Sequence, residues 1–135
     1  MKQLPVYINN QLVQNKDILL LEVTKSEPKI KLNLEKDKYY TIMMVDPDAP
    51  SKENPKYKYF LHWLIINTND KIIDFMPPSP PIGSGLHRYY ICLFEQLNKI
   101  DKVHITERIK FDVDYFCRQH DLVLIGSIMF MTEDK

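Results

Sequence analysis

The sequence has few glycines, few cysteines and no excess of charge of either sign. Its 135 residues include 3 glycines and 2 cysteines, and 18 basic residues are balanced by 18 acidic ones. Two cysteines cannot form a disulfide framework, so a cytoplasmic, reducing location is expected. A protein that binds nucleic acid through its phosphates needs a basic excess, so no nucleic-acid partner is predicted.

The sequence also lacks long apolar runs. None approaches the roughly 20 residues that a membrane-spanning helix requires. Polar side chains interrupt residues 1–15, so we expect neither an integral membrane segment nor a signal peptide. Hydrophobic residues make up 44% of the chain and charged residues 27%, which is typical of a globular protein. The length predicts a single domain over residues 1–135.

Apolar and β-branched runs alternate with turn-forming residues, which predicts a mainly β protein. The central strands are expected at residues 39–45, 57–67 and 88–96. Further strands are predicted at residues 4–9, 18–24, 30–34, 71–75 and 122–131, with a short helix at residues 111–120. The strands lie too close in sequence for helical crossovers, so we expect a mostly antiparallel β-sandwich or Greek-key domain.

Two aspartates and two prolines follow the first central strand. Asp46 and Asp48 lie in a loop that Pro47 and Pro50 stiffen. The aspartates either cap a turn or accept hydrogen bonds from a cationic group of a ligand. Because the ends of strands are rigid and their loops can converge, a pocket is expected here.

Two histidines and a tyrosine are expected to meet Asp46 at the same cavity. His62 lies in an apolar strand, where an unpaired imidazole would cost about 1–3 kcal/mol, so it is either a hydrogen-bonded core residue or a ligand group. His87 and Tyr89 are two residues apart on a strand and therefore point to one face. Arg88 points to the other face, where we expect an ion pair.

Gly83 and Gly85 directly precede that strand and could present backbone N–H groups to an anion. Imidazole, phenol and amide donors suit a phosphate, whereas the carboxylates suit an ammonium group. A zwitterion such as phosphoethanolamine would satisfy both kinds of group.

Together these motifs resemble the phosphatidylethanolamine-binding protein family, which includes the Raf kinase inhibitor proteins and the plant flowering regulators. The resemblance rests on residues 46–51 (DPDAPS), 61–63 (LHW) and 83–89 (GSGLHRY), and extends over residues 4–131. It implies a β-rich fold with an anion pocket at one end. The implied ligand-binding residues are Asp46, Asp48, His62, His87 and Tyr89, with Pro50, Gly83 and Gly85 shaping the loops.

The resemblance implies a non-enzymatic protein without a cofactor. Its partners would be phospholipid head groups or phosphorylated proteins, including protein kinases. A cis peptide bond before Pro50 is also expected. Animal members continue into a C-terminal helix that borders the pocket, whereas this sequence ends at Lys135. On that basis we expect an open pocket rim and weak binding of a free head group.

The alternatives to a binding protein are an inhibitor, a weak hydrolase and a metal-binding protein. The protein could inhibit proteases or kinases through its surface, or act as a weak hydrolase in which Asp, His and Tyr serve as acid and base. No spacing supports a metal site. A serine nucleophile is disfavoured because Ser84 lies in Ile-Gly-Ser-Gly-Leu and not in Gly-x-Ser-x-Gly. Cys92 lies in an apolar strand, where an inert thiol is expected.

Overall fold

The computed structural model describes residues 2–135, which form ten strands, a 3-10 turn and one α-helix. The strands are β1 (Lys2–Gln3), β2 (Val6–Ile8), β3 (Gln11–Leu12), β4 (Asp17–Ile18), β5 (Lys29–Ile30), β6 (Tyr39–Asp46), β7 (Phe60–Ile66), β8 (Asp70–Ile73), β9 (His87–Gln96) and β10 (Leu122–Thr132). The 3-10 turn covers Val23–Lys25, and helix α1 covers Val113–Gln119. Within residues 2–135 no helix has the length and apolar character needed to cross a membrane.

Seven of the strands form one large sheet, in the order β1-β10-β9-β6-β7-β8, with β4 also paired to β10. All pairings among the long strands are antiparallel, whereas the short β1 and β4 run parallel to β10. Strands β3, β2 and β5 form a second, antiparallel sheet. The predicted mainly antiparallel β fold is therefore confirmed.

Side-chain alternation in β6 and β9 divides the apolar residues between two cores, because neighbouring side chains of a strand point to opposite faces. One core lies between the two sheets and includes Val6 of β2 and Ile91 of β9. The other packs under α1 and includes Phe94 of β9 and Phe116 of the helix. Tyr89 belongs to the first core, so the predicted site residues of β9 face the space between the sheets.

The strands predicted at residues 18–24 and 30–34 are wrong over most of their length. In the first segment only Ile18 pairs with β10, and Val23–Lys25 form the 3-10 turn, where the Thr24 hydroxyl donates to a carbonyl three residues earlier. In the second segment only Ile30 pairs, with β2. Apolar side chains of both segments still pack against the core, because alternate side chains can be buried without the backbone pairing with a neighbouring strand.

Candidate functional site

A cavity of about 170 Å³ lies where the end of β6 meets the beginnings of β7 and β9. Both β7 and β9 run antiparallel to β6, so their first residues adjoin its last ones. This arrangement brings residues that are distant in sequence to one place. Five predicted ligand residues line the cavity, namely Asp46, Pro50, His62, His87 and Tyr89. Prolines and aromatic side chains form most of the remaining wall.

Asp48 does not line the cavity, because its carboxylate is engaged by Arg88. The guanidinium donates from Nε at 3.0 Å and from Nη2 at 2.8 Å, and the backbone N–H of Arg88 donates at 2.8 Å. Burial alone would raise the pKa of Asp48, but the hydrogen bonds and the charge of Arg88 outweigh that effect and hold the pKa below its usual range. The ion pair expected for Arg88 is therefore the pair with Asp48.

Gly83 and Gly85 also lie outside the cavity wall, but both adopt a conformation that favours glycine. Their φ angles are +76° and +86°, in the left-handed region. The N–H of Gly83 donates to the carbonyl of Asp134 at 2.8 Å, so this amide is already engaged. On the opposite loop, the peptide bond between Ala49 and Pro50 is cis, as expected from the resemblance.

Asp46 and His87 form a buried pair in the cavity wall. His87 Nδ1 lies 2.9 Å from Asp46 Oδ2, and both side chains are at most 4% exposed. The other oxygen, Oδ1, accepts the backbone N–H of Asp48 at 2.7 Å. His87 Nε2 lies 2.9 Å from the hydroxyl oxygen of Ser84. Both ring nitrogens of His87 are therefore engaged within the protein, which differs from the expected free donor.

The Nε2 nitrogen of His62 faces the cavity as a hydrogen-bond acceptor. Nδ1 lies 2.7 Å from the carbonyl oxygen of Met76, and because a carbonyl only accepts, Nδ1 carries the proton. Burial chiefly lowers the pKa of His62, and it outweighs the hydrogen bond to Met76 and the charge of Asp46, which would raise the pKa. The ring is therefore neutral at neutral pH. Nε2 has a free lone pair and no hydrogen-bond partner within the described part of the chain.

The hydroxyl of Tyr89 is a buried donor in the cavity wall, which also contains the hydroxyl-bearing side chains of Tyr57 and Ser79. The side chain is fully buried, stacks on Phe130 with ring centroids 5.4 Å apart, and meets the edge of His62 at 5.3 Å. Its oxygen has no hydrogen-bond partner of normal geometry among residues 2–135. Burial chiefly raises the pKa of the phenol, and the negative charge of Asp46 and a contact with its carboxylate that falls short of normal hydrogen-bond geometry act in the same direction, so the phenol stays protonated. Such an unpaired buried hydroxyl indicates a site for a ligand acceptor.

Arg108 is a positioning residue that the sequence reasoning missed. Its Nη1 donates to the carbonyls of Leu61 and His62, each at 3.1 Å, and its Nη2 donates to the carbonyl of Asp74 at 2.8 Å. These bonds hold the start of β7 and the segment after β8. A lone arginine in a loop whose partners are backbone carbonyls leaves no side-chain motif in the sequence.

The two cysteines are half-buried thiols away from the cavity wall. Burial raises the pKa of Cys92 to about 12 and that of Cys117 to about 11, and both are free. Thiols with such pKa values are poor nucleophiles at neutral pH. The described residues contain no cluster of three or more His, Cys, Asp or Glu side chains that could hold a metal ion.

A model of the phosphatidylethanolamine-binding protein family matches residues 10–126. The chain belongs to this family. The family's model therefore spans β3 to the middle of β10, together with every residue that lines the cavity.

Relatives and solved structures agree with this membership. The chain is 42% identical to a phosphatidylethanolamine-binding protein homolog of Acanthamoeba polyphaga mimivirus, over 95% of both chains. It is 32% identical to a putative odorant-binding protein of Drosophila melanogaster, over 73% of this chain but only about half, 53%, of that relative's length.

Among solved structures, a carboxypeptidase Y inhibitor complexed with its cognate proteinase shares 27% identity and a TM-score of 0.84, over 98% of this chain and 83% of that one. A phosphatidylethanolamine-binding protein of Plasmodium vivax shares the fold at 23% identity and a TM-score of 0.76, over 96% of this chain and 85% of that one.

The unpaired hydroxyl of Tyr89 leads to a prediction for the stability of the Tyr89→Phe variant. Tyr89→Phe is expected to raise the free energy of unfolding by about 1 kcal/mol, because it removes a buried polar atom that has no partner. Urea denaturation of the ligand-free protein measures this change. Tyr40→Phe is the control, since the buried Tyr40 hydroxyl accepts the backbone N–H of Glu35 at 3.3 Å. If Tyr89→Phe destabilises the protein as Tyr40→Phe does, the hydroxyl has a partner in the protein.

Proposed function

We propose that the cavity binds a phosphate-bearing ligand, carried either by a phospholipid head group or by a phosphorylated protein. The observation that carries this proposal is the Tyr89 hydroxyl, a buried donor in the wall of a cavity that has no hydrogen-bond partner of normal geometry among the described residues. A phosphate oxygen is a strong acceptor for it. The protein would act by binding its ligand and not by turnover, in keeping with the regulatory and binding roles expected of its family.

The second contact would be made through His62 Nε2. A lone pair on this nitrogen repels a fully ionised phosphate, so the contact needs one proton between the two groups. Either the phosphate is bound as the monoanion and donates to Nε2, or the imidazole takes a proton from water. Apolar walls that exclude water would strengthen both contacts.

The size of the cavity favours a head group over a whole lipid. Its volume of about 170 Å³ is below the roughly 300–1,000 Å³ of pockets that enclose drug-sized ligands. A phosphorylated side chain or a phosphoethanolamine group fits this scale, whereas an acyl chain would stay outside. If the phosphorylated residue of a kinase occupied the cavity, the protein would regulate that kinase by covering its phosphate group. The two free thiols accord with the cytoplasm as the location of such a partner.

Removing the Tyr89 donor is expected to weaken binding. Phosphoethanolamine should bind Tyr89→Phe about 10- to 100-fold more weakly than the unmodified protein, the loss typical of one hydrogen bond to a charged group. Isothermal titration calorimetry measures the change. Tyr115→Phe is the control, because Tyr115 is 58% exposed on α1. Equal affinity in Tyr89→Phe would place the phosphate elsewhere.

Phosphate binding should also weaken as pH rises. The pKa of His62 is lowered in the free protein, and a bound anion would raise it, so binding takes up a proton. Affinity is therefore highest at acidic pH and falls as pH rises through the pKa that His62 has in the complex. Calorimetry with a phosphodiester, which has no second ionisation, measures the contribution of His62 alone. An affinity that is constant from acidic to alkaline pH would contradict the role of His62.

Inhibition of a peptidase is a second candidate function. It is favoured by the similarity, at 27% identity, to a carboxypeptidase Y inhibitor that forms a complex with its proteinase. Carboxypeptidase Y assayed with the unmodified protein and with Tyr89→Phe separates the two functions. Inhibition that survives the substitution would act through the surface of the protein and not through the cavity.

A further inference from the structure

Ser84, His87 and Asp46 stand in the order of a serine nucleophile, its general base and the carboxylate that orients the base. Ser84 Oγ lies 2.9 Å from His87 Nε2, and His87 Nδ1 lies 2.9 Å from Asp46 Oδ2. Such an arrangement is recognised by its geometry and not by sequence position, since it occurs on unrelated folds in different chain orders. The phosphate contacts of the proposed function leave it unused.

The reactivity of Ser84 depends on which atoms of Ser84 and His87 carry the protons. The Ser84 hydroxyl also lies 2.7 Å from the carbonyl oxygen of Pro81, but it has only one proton to donate. While that proton points to Pro81, Nε2 must itself carry a proton to bond the hydroxyl. When His87 is neutral, with its proton on Nδ1 facing Asp46, Nε2 can accept the Ser84 proton. This second form activates the hydroxyl.

The hydroxyl is also accessible and has a donor beside it. Ser84 is half-buried and lies just outside the cavity wall, to which both of its hydrogen-bond partners, His87 and Pro81, belong. The left-handed conformations of Gly83 and Gly85 hold it on a tight turn. The N–H of Gly85, the residue after the nucleophile, makes no hydrogen bond within residues 2–135. This amide could stabilise the negative oxygen of a tetrahedral intermediate.

We propose that Ser84 is an activated nucleophile that accepts an acyl group from small esters. Ser84 Oγ attacks the carbonyl carbon, forming a C–O bond, while its proton passes to His87 Nε2. The bond to the leaving alcohol then breaks, the leaving oxygen keeps the electron pair, and the proton passes from Nε2 to it. The products are acyl-Ser84 and the free alcohol. The small cavity limits the acyl group to a short chain.

Labelling with p-nitrophenyl acetate tests this proposal on the full chain. We expect one acetyl group per chain, located on Ser84 by peptide mass spectrometry, with release of one p-nitrophenol. Ser84→Ala should abolish the labelling. Ser51→Ala should label at the unmodified rate, because the half-buried Ser51 hydroxyl accepts the backbone N–H of Asn54 at 3.2 Å, whereas the Ser84 hydroxyl contacts His87.

The base is tested by His87→Gln, which should slow acetylation of Ser84 by about 10²- to 10⁴-fold. Circular dichroism of each variant establishes that it is folded, and Ser84→Ala remains decisive if His87→Gln does not fold. Acetylation spread over lysines and tyrosines with Ser84 unmodified would overturn the proposal. Acetylation of Ser84 at an equal rate in folded His87→Gln would overturn it as well, because the serine would then react without its base.

Discussion

The buried hydrogen bond between Asp46 and His87 is the interaction on which the site depends. It joins the end of β6 to the beginning of β9, and a carboxylate this deeply buried is tolerated only when its oxygens have partners. The second oxygen of Asp46 accepts the backbone N–H of Asp48. This bond positions the Asp48 carboxylate to accept a hydrogen bond from Arg88. On the other side, His87 reaches Ser84 through Nε2. One pair of side chains thus positions both loops around the cavity.

This pairing determines which groups the cavity offers to a ligand. Because both nitrogens of His87 are engaged, the buried groups of the wall that can bind a ligand include the donor of Tyr89 and the acceptor nitrogen of His62. A phosphate that shares one proton with His62 satisfies both. The same engagement of His87 gives the Ser84 hydroxyl a base. The proposed phosphate binding and the proposed acylation of Ser84 would therefore use different atoms of one site, with Asp46 and His87 supporting both.

Much of the site could be predicted from period-two patterns and strand adjacency. The spacing of His87 and Tyr89 indicates one shared face, with Arg88 on the other, and the structure has this arrangement. The partners of His62 and Arg108 could not be predicted, because both bind backbone carbonyls, which every residue carries. The Gly-x-Ser-x-Gly motif does not identify Ser84, because that motif describes a strand-turn-helix geometry, whereas here the serine lies on a loop before β9.

The central claim, that His62 is a neutral ring with its proton on Nδ1 and a free Nε2, can be measured directly. Nitrogen-15 NMR of the imidazole rings in the ligand-free protein at neutral pH distinguishes protonated from unprotonated ring nitrogens. The account predicts a protonated Nδ1 and an unprotonated Nε2 for His62, with Nε2 gaining a proton when a phosphodiester is added. A proton on Nε2 in the ligand-free protein, or an Nε2 signal that phosphodiester leaves unchanged, would contradict it.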